Sequence, residues 1–238
     1  MIGPIVNCGA ILGGSVVGAF LGNRISENLR TRLPLLFGLS SLGLGVAMIV
    51  KGRSFPAVIL ALLLGTILGE LLHIEAWLTR VATKTRVVID RLVEPTDTSP
   101  SHEEHSATFV ALMVLFCASA TGIFGAMNEG MTGDTSLLIV KSILDFFTAA
   151  IFATALGYSL AALAIPQLII QGGLFLLAGR LLPLMTPSMV GDFSACGGLI
   201  MVATGFRVAG IKHFHTANMV PALFIAMPIS ALWTRLLG

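Results

Sequence analysis

Long apolar stretches, separated by short polar ones, make up almost the whole chain. Each is about 20 residues long, the length that an α-helix needs to cross the hydrocarbon core of a bilayer. The pattern predicts an all-α fold, a polytopic bundle of about eight transmembrane helices in a single domain. The candidate spans lie near residues 4–22, 33–50, 55–74, 107–127, 136–156, 158–179, 191–210 and 217–236.

The one long polar segment covers residues 75–106 and divides the chain into helical blocks at 1–74 and 107–238. It begins with a basic helical pattern and continues with acidic residues, prolines and serines, a composition typical of a flexible linker. We therefore expect a polar linker between two blocks of membrane helices.

The boundary between the fifth and sixth spans is the least marked, because residues 137–182 contain very few charged side chains. The preferred break is Gly157-Tyr158-Ser159, and Pro166 is the alternative. A short or discontinuous helix in this region is compatible with the same pattern.

Composition supports a membrane protein. Hydrophobic residues make up 55% of the chain, charged residues 11%, and the mean hydropathy is +0.94, whereas a typical soluble domain is about 25% charged. The net charge of +2 gives no reason to expect nucleic-acid binding.

Little in the chain points to an enzyme, a cofactor or a metal. The three cysteines are far apart in apolar stretches and suggest small buried residues. His102-Glu-Glu-His105 lacks the spacing of a zinc protease motif, and we find no nucleophile paired with a base. We therefore predict no cofactor, no metal and no catalytic residues.

Basic residues are distributed unequally between the two sides that eight spans would define. Nine fall on the side of the polar linker and four on the other, so the linker is expected to be cytoplasmic. The first group is Arg24, Arg30, Arg32, Arg80, Lys84, Arg86, Arg91, Arg207 and Lys212, and the second is Lys51, Arg53, Arg180 and Arg235.

Spans one to three share an outline with spans six to eight. Gly13-Gly14 lies in the first span of one group and Gly172-Gly173 in the first span of the other, and each group continues with a Gly-rich span and a basic loop. Corresponding spans would run in opposite directions, as in the inverted repeats of many secondary transporters. General similarity among Gly-rich helices is the alternative.

The most unusual polar feature is a pair of opposite charges within the fifth span. Lys141 and Asp145 are one helical turn apart, and ionisable residues at such depth are expensive and generally functional. Asp134 and Ser136 are placed to cap the start of the same helix. The pair is either an ion, proton or substrate site or a structural pair between helices.

Further candidates lie in the first and sixth spans. Asn7 belongs to a face of small residues, and the two interpretations are close helix packing, including a homo-oligomer, and a ligand contact. Gln167 and Gln171 follow Pro166 one turn apart and suggest either the lining of a cavity or hydrogen bonds between helices. The small residues are Gly9, Gly13, Gly14, Gly18 and Gly22.

Several of these residues together resemble the bacterial DUF554 (YqgA/YdfK-like) family of membrane proteins, over nearly the whole chain. The resemblance implies a multi-pass protein of the bacterial plasma membrane and supplies no substrate. It is carried by Asn7, Gly69-Glu70, Gly133-Asp134, Ser136, Lys141-Ser142, Leu144-Asp145, Gln171-Gly172, Ala217-Asn218 and Pro221-Ala222.

The expected function is a secondary transporter or channel-like protein for a small solute or ion. Its substrate or ion site would lie near the membrane midplane and use Lys141, Asp145, Asn7, Gln167 and Gln171, with Asp134 and Ser136 at the helix start. The alternative is a non-transporting scaffold or regulator that acts through the linker.

Overall fold

The computed structural model is all-helical over the residues it describes. These are residues 1–22, 27–92, 101–117 and 119–237, with the side chains of 27, 29–31, 85–92, 101–107 and 237 excepted. The helices are α1 (Ile2–Leu21), α2 (Glu27–Ile49), α3 (Phe55–Leu71), α4 (Ile74–Leu92), α5 (Ser101–Cys117), α6 (Ala120–Thr132), α7 (Ser136–Leu156), α8 (Ala164–Leu181), α9 (Pro187–Val208) and α10 (Pro221–Leu237). Short 3-10 segments at Gly157–Leu163 and Leu182–Leu184 flank α8.

Five helical runs in the described residues are long and apolar enough to cross a membrane, and a sixth is formed if α3 and the first part of α4 are counted together. These two helices meet at an angle of 50° at His73, whose φ of 48° lies in the left-handed region. The run 136–184 contains two helices, α7 and α8, and the shorter α10 is also apolar. The predicted all-α class is therefore confirmed.

The break between the fifth and sixth predicted spans falls at the preferred position. Helix α7 ends before Gly157, whose φ of 62° suits a glycine, and the chain continues as a 3-10 segment. Pro166 lies in the first turn of α8, where its missing N–H removes no hydrogen bond from the helix.

The fourth span, predicted near 107–127, corresponds to one apolar run, Thr108–Thr132, which is formed by two helices, α5 and α6. Ser119 is the N-cap of α6, and its Oγ accepts a hydrogen bond from the backbone N–H of Gly122 at 3.1 Å. A serine side chain can replace the missing helical acceptor at such a terminus, so the break needs no proline or charge to mark it. In the predicted linker, α4 extends to Leu92 and α5 begins at Ser101; residues 93–100 lie outside the description, so the linker stays a prediction.

The most extensive contact between helices joins α1 to α7, which run in the same direction. A Cβ built on Gly3 would meet Leu138, and one built on Gly18 would overlap the Ala150 carbonyl. Helix backbones approach this closely only where the residue has no side chain.

Three other helix pairs run in opposite directions. Gly38 of α2 packs against Gly205 of α9, and Gly45 packs against Gly198. Helices α3 and α10 meet likewise, as do α1 and α8, where the Asn7 side chain lies against Gln167. These contacts give the bundle two ends, an N-terminal face that holds Met1, Lys51 and Asp134, and a basic face that holds Lys84 and Arg207.

Two of the five glycines expected to serve a homo-oligomer, Gly14 and Gly18, pack closely within the chain. A Cβ at Gly14 would overlap the Phe146 carbonyl of α7, and Gly18 is equally close to the same helix. Among the residues that the structure describes, nothing lies within 4 Å of a Cβ on Gly9 or Gly22. Packing within one chain is therefore the role that the structure assigns to Gly14 and Gly18.

Two buried carboxylates satisfy the first amides of other helices. Glu129 accepts hydrogen bonds from the backbone N–H groups of Ile2 at 2.8 Å and Gly3 at 3.0 Å, at the start of α1. Asp192 accepts from the N–H groups of Arg53 and Ser54 at 2.7 and 2.8 Å, before α3. Because these amides have no acceptor in their own helix, each carboxylate fixes the position of a helix end.

Candidate functional site

A buried network of polar side chains joins α7, α1 and α8. Lys141 and Asp145 form an ion pair within α7, and the Asn7 Nδ2 group donates a hydrogen bond to Asp145 Oδ2 at 2.8 Å. The side-chain amides of Gln167 and Gln171 both donate to Asn7 Oδ1, at 2.8 and 3.0 Å. Each of the five residues is at most 6% exposed.

The hydrogen bonds of this network run in one direction. An ionised Asp145 only accepts, so Asn7 must present its NH2 group to the carboxylate and its oxygen to α8. Gln167 and Gln171 must then donate, and their own carbonyl oxygens are buried without a hydrogen-bond partner among the described residues. Asp145 therefore orients all three amides of the network.

Lys141 and Asp145 also line a cavity of about 340 Å³ between α2, α5, α6, α7 and α9. Much of its wall is apolar, and five lining residues carry hydroxyl groups: Ser41, Ser119, Thr121, Thr148 and Thr204. A volume near the lower end of the range for ligand pockets suits a small molecule.

The cavity extends from the ion pair toward the basic face. Along α7 its lining continues from Asp145 to Phe152, and along α9 it reaches Arg207, near the end of that helix. On the other side of the ion pair the core is closed by buried aromatic residues, including Phe124 and Phe193, whose ring centroids are 5.3 Å apart. The ion pair therefore lies at one end of the cavity, whose lining also includes Leu115 and Phe152, which are 38% and 37% exposed.

The start of α6 lies beside the same ion pair. Ser119 and Thr121 line the cavity, and a Cβ on Gly122 would come within 2.9 Å of Lys141 Cε and 3.0 Å of Gln171 Nε2. A helix N-terminus carries a partial positive charge and attracts anions, and the member of the ion pair that it approaches is Lys141.

Asp134 and Ser136 lie outside the network, at the N-terminal face. Asp134 accepts a hydrogen bond from the Ser136 N–H at 2.9 Å, and its carboxylate is 3.9 Å from the Lys51 ammonium. The hydrogen bonds from Ser136, and then the Lys51 charge, hold the pKa of Asp134 below its usual value. The assigned N-cap of α7 is Thr135, without a side-chain hydrogen bond, so the predicted capping is carried by Asp134 alone.

Arg207, one of the basic residues that predict the orientation, lines the end of the cavity at the basic face. Its guanidinium pairs with Glu75 of α4 at 2.8 Å and donates to the Phe214 carbonyl at 3.2 Å. His215 lies 3.3 Å from Glu70 across the same end of the bundle. The two acidic partners are far from Arg207 and His215 in sequence, so no local pattern could have brought them together.

The apolar helices and the buried polar network define a helical membrane protein of unknown function. The chain belongs to the family described as "Protein of unknown function (DUF554)", whose model matches residues 2–231. The resemblance found in the sequence is thereby confirmed.

Two relatives extend over nearly the whole chain. The uncharacterized protein YqgA of Escherichia coli (strain K12) is 50% identical over 234 residues, or 98% of each chain. The uncharacterized membrane protein YdfK of Bacillus subtilis (strain 168) is 25% identical over 229 residues, covering 94% of this chain and 93% of the relative. No solved structure matches the chain significantly.

Proposed function

We propose that the chain crosses the bacterial plasma membrane eight times. The crossings would be α1, α2, α3, the broken pair α5–α6, α7, α8, α9 and α10, with the basic face and residues 75–106 in the cytoplasm. The proposal is supported by the helix directions and by the excess of basic residues on that face. With eight crossings, residues 1 and 237 lie on the same side of the membrane.

Within this topology we propose a secondary transporter or channel-like protein for a small solute or ion. The observation that carries the proposal is the cavity, which ends on the buried pair Lys141 and Asp145. Charges at this depth are expensive, and a cavity gives them a ligand to meet. Closure by Phe124 and Phe193 on the other side fits a state in which the site is not reached from the N-terminal face.

The helix directions support an inverted repeat of α1–α3 and α8–α10. Corresponding helices run in opposite directions and contact each other, and Asn7 meets Gln167 where the first pair crosses. A broken helix beside the site, here α5–α6, is also common in transporters with such repeats. We expect the protein to have no enzymatic activity, and any homo-oligomer to use the open side of α1 around Gly9.

The test is flux through purified protein reconstituted in liposomes, under gradients of protons, alkali cations and small organic anions. We expect uptake that Asp145→Asn and Lys141→Met reduce at least tenfold. Lys51→Met makes the same substitution at an exposed lysine and should leave uptake unchanged. Absence of any flux, or a wild-type rate in Asp145→Asn, would contradict a transport site at this pair.

The alternative function, a scaffold or regulator that acts through the linker, predicts a different effect of the same variants in cells. If deletion of residues 94–105 removed the phenotype of the gene while Lys141→Met and Asp145→Asn left it intact, the linker would be the working part. The same strains can be compared in one growth screen against a complete deletion.

A further inference from the structure

We propose that the cavity binds a small organic anion with an apolar body, together with one proton that Asp145 accepts. The inference rests on the transport function proposed above and names its substrate class and coupling ion. It depends on the apolar wall of the cavity, on the charge balance at its inner end, and on the polarity of the groups around that end.

The wall of the cavity fits an apolar body. Phe37, Leu44, Phe152 and Met201 line it from three helices, and most of the surface of the cavity is apolar. Burial of an apolar body in such a wall is favourable, at about 25 cal/mol per Å² of surface removed from water. A strongly hydrated ion such as sulfate or Mg²⁺ would lose its water here without sufficient replacement.

The inner end of the cavity is electrically neutral when empty. The Lys141 ammonium and the Asp145 carboxylate compensate each other, and an entering anion would add an uncompensated negative charge to a region of low polarity. If Asp145 takes a proton from the cytoplasm, the ammonium becomes free to pair with the anion. Lysine, protonated aspartate and a monovalent anion again sum to zero.

The groups around Asp145 allow this exchange. Lys141 faces it from α7, Asn7 from α1 and Cys117 from α5, and the two glutamines of α8 reach it only through Asn7. Apart from Lys141, the cationic group that lines the cavity is Arg207 at its mouth. No second carboxylate lines the cavity among the described residues, so Asp145 is the acid available to take the proton.

The surrounding polarity favours an anion over a cation. The N-terminus of α6 with Ser119 lies along the cavity and attracts negative charge, whereas the charge of Arg207 is already paired with Glu75 at 2.8 Å. A cation would have to displace the Lys141 ammonium from Asp145 and would face this same helix terminus. In the empty site, the Asp145 carboxylate thus occupies the position beside Lys141 that the anionic group of the substrate would take.

The test uses three four-carbon probes with purified protein in detergent: 1-butanesulfonate, butyltrimethylammonium and 1-butanol. A sulfonate stays ionised throughout, so any proton taken up on binding goes to the protein. Titration calorimetry at pH 7 in two buffers of different ionisation enthalpy gives the number of protons per bound probe. The variants are Asp145→Asn, Lys141→Met and the control Lys51→Met.

We expect butanesulfonate to bind wild type and Lys51→Met with uptake of about one proton, and its Kd to rise about tenfold per pH unit above neutrality. Asp145→Asn should bind it with no proton uptake and no such pH dependence, and Lys141→Met should weaken binding at least tenfold. The other two probes should not bind.

Other outcomes separate this inference from the transport proposal. Binding of butanesulfonate without proton uptake would overturn the coupling, and binding of the cation or the alcohol instead would overturn the substrate class. Flux in the liposome assay without butanesulfonate binding would also overturn the substrate class, while the transport proposal would remain supported. If there were neither flux nor binding, both proposals would fail.

Discussion

At the scale of single residues, one carboxylate fixes the orientation of the buried polar side chains. Asp145 accepts from both Lys141 and Asn7, and through Asn7 it orients the two glutamines of α8. Removal of one member of a buried ion pair is more damaging than removal of both, because the remaining charge has no partner. The pair should therefore behave as a unit in stability as well as in transport.

Variants of the ion pair test this coupling. Asp145→Asn and Lys141→Met should each lower the free energy of unfolding by about 3–5 kcal/mol. The double variant carries no charge at this site, and the amide introduced by Asp145→Asn still offers an oxygen to Asn7, so it should regain most of that loss. Unfolding in detergent followed by circular dichroism gives all four values. If the two single effects simply added, the charges would not be coupled.

The buried carboxylates at helix starts lead to a second residue-scale prediction. Asp192 accepts from two backbone amides and from the Ser230 hydroxyl at 2.6 Å. Asp192→Ala should lower the free energy of unfolding by at least about 2–3 kcal/mol, since a single hydrogen bond to a charged group contributes about that much and three are lost. Asp134→Ala removes a half-buried carboxylate that accepts one backbone hydrogen bond at the start of α7, and it should cost less, about 0.5–2 kcal/mol. Equal losses in the same unfolding assay would show that the additional bonds of Asp192 contribute nothing.

At the scale of helices, close contact between α1 and α7 holds Asn7 against Asp145. The backbones approach at Gly14 and Gly18, where no side chain fits, and this contact sets the register of the two helices. The network is therefore as dependent on these glycines as on its own polar groups.

Valine substitutions along α1 test this dependence. Gly18→Val would overlap the Ala150 carbonyl and should destabilise the protein by about 2 kcal/mol or more and reduce flux. Gly9→Val places the same side chain in open space and should be nearly neutral for the isolated chain. Thermal unfolding and liposome flux give the comparison. If Gly9→Val were the more harmful, a contact with a second copy would be indicated.

At the scale of the whole molecule, the cavity makes the two faces of the bundle unequal. Thr148 lies on its wall on the side of the basic face, whereas Leu137 is buried toward the N-terminal face. A molecule that alternates between two open states would expose these positions from opposite sides of the membrane.

Cysteine labelling tests this inequality in a variant whose native cysteines are replaced by alanine. Thr148→Cys should react with a membrane-impermeant maleimide added from the cytoplasmic side, and Leu137→Cys should be protected from both sides. Reaction is measured in oriented membrane vesicles. Access to residue 148 from the periplasmic side alone would reverse the proposed orientation.

The helices and the polar residues of the site are evident in the sequence, whereas the partners of those residues are not. Lys141, Asp145, Asn7, Gln167 and Gln171 stand out because polar groups within apolar spans are rare and must be satisfied. Glu129 and Asp192 were missed because they lie near helix ends, where a carboxylate in the sequence looks the same whether it faces water or caps another helix. The break at Ser119 was missed because its residues are ordinary in a helix.

The sequence by itself determined the solvent of this protein and the composition of its site. Apolar stretches of about 20 residues leave a helix in lipid as the favourable structure, since every backbone group must be bonded within the segment. Tertiary structure alone decided which polar groups meet, because Asn7 and Asp145 are 138 positions apart and their contact depends on the packing of Gly14 and Gly18. Tertiary structure also decided the position of the cavity beside the ion pair, because a cavity results from the packing of several helices and is not determined by any one segment.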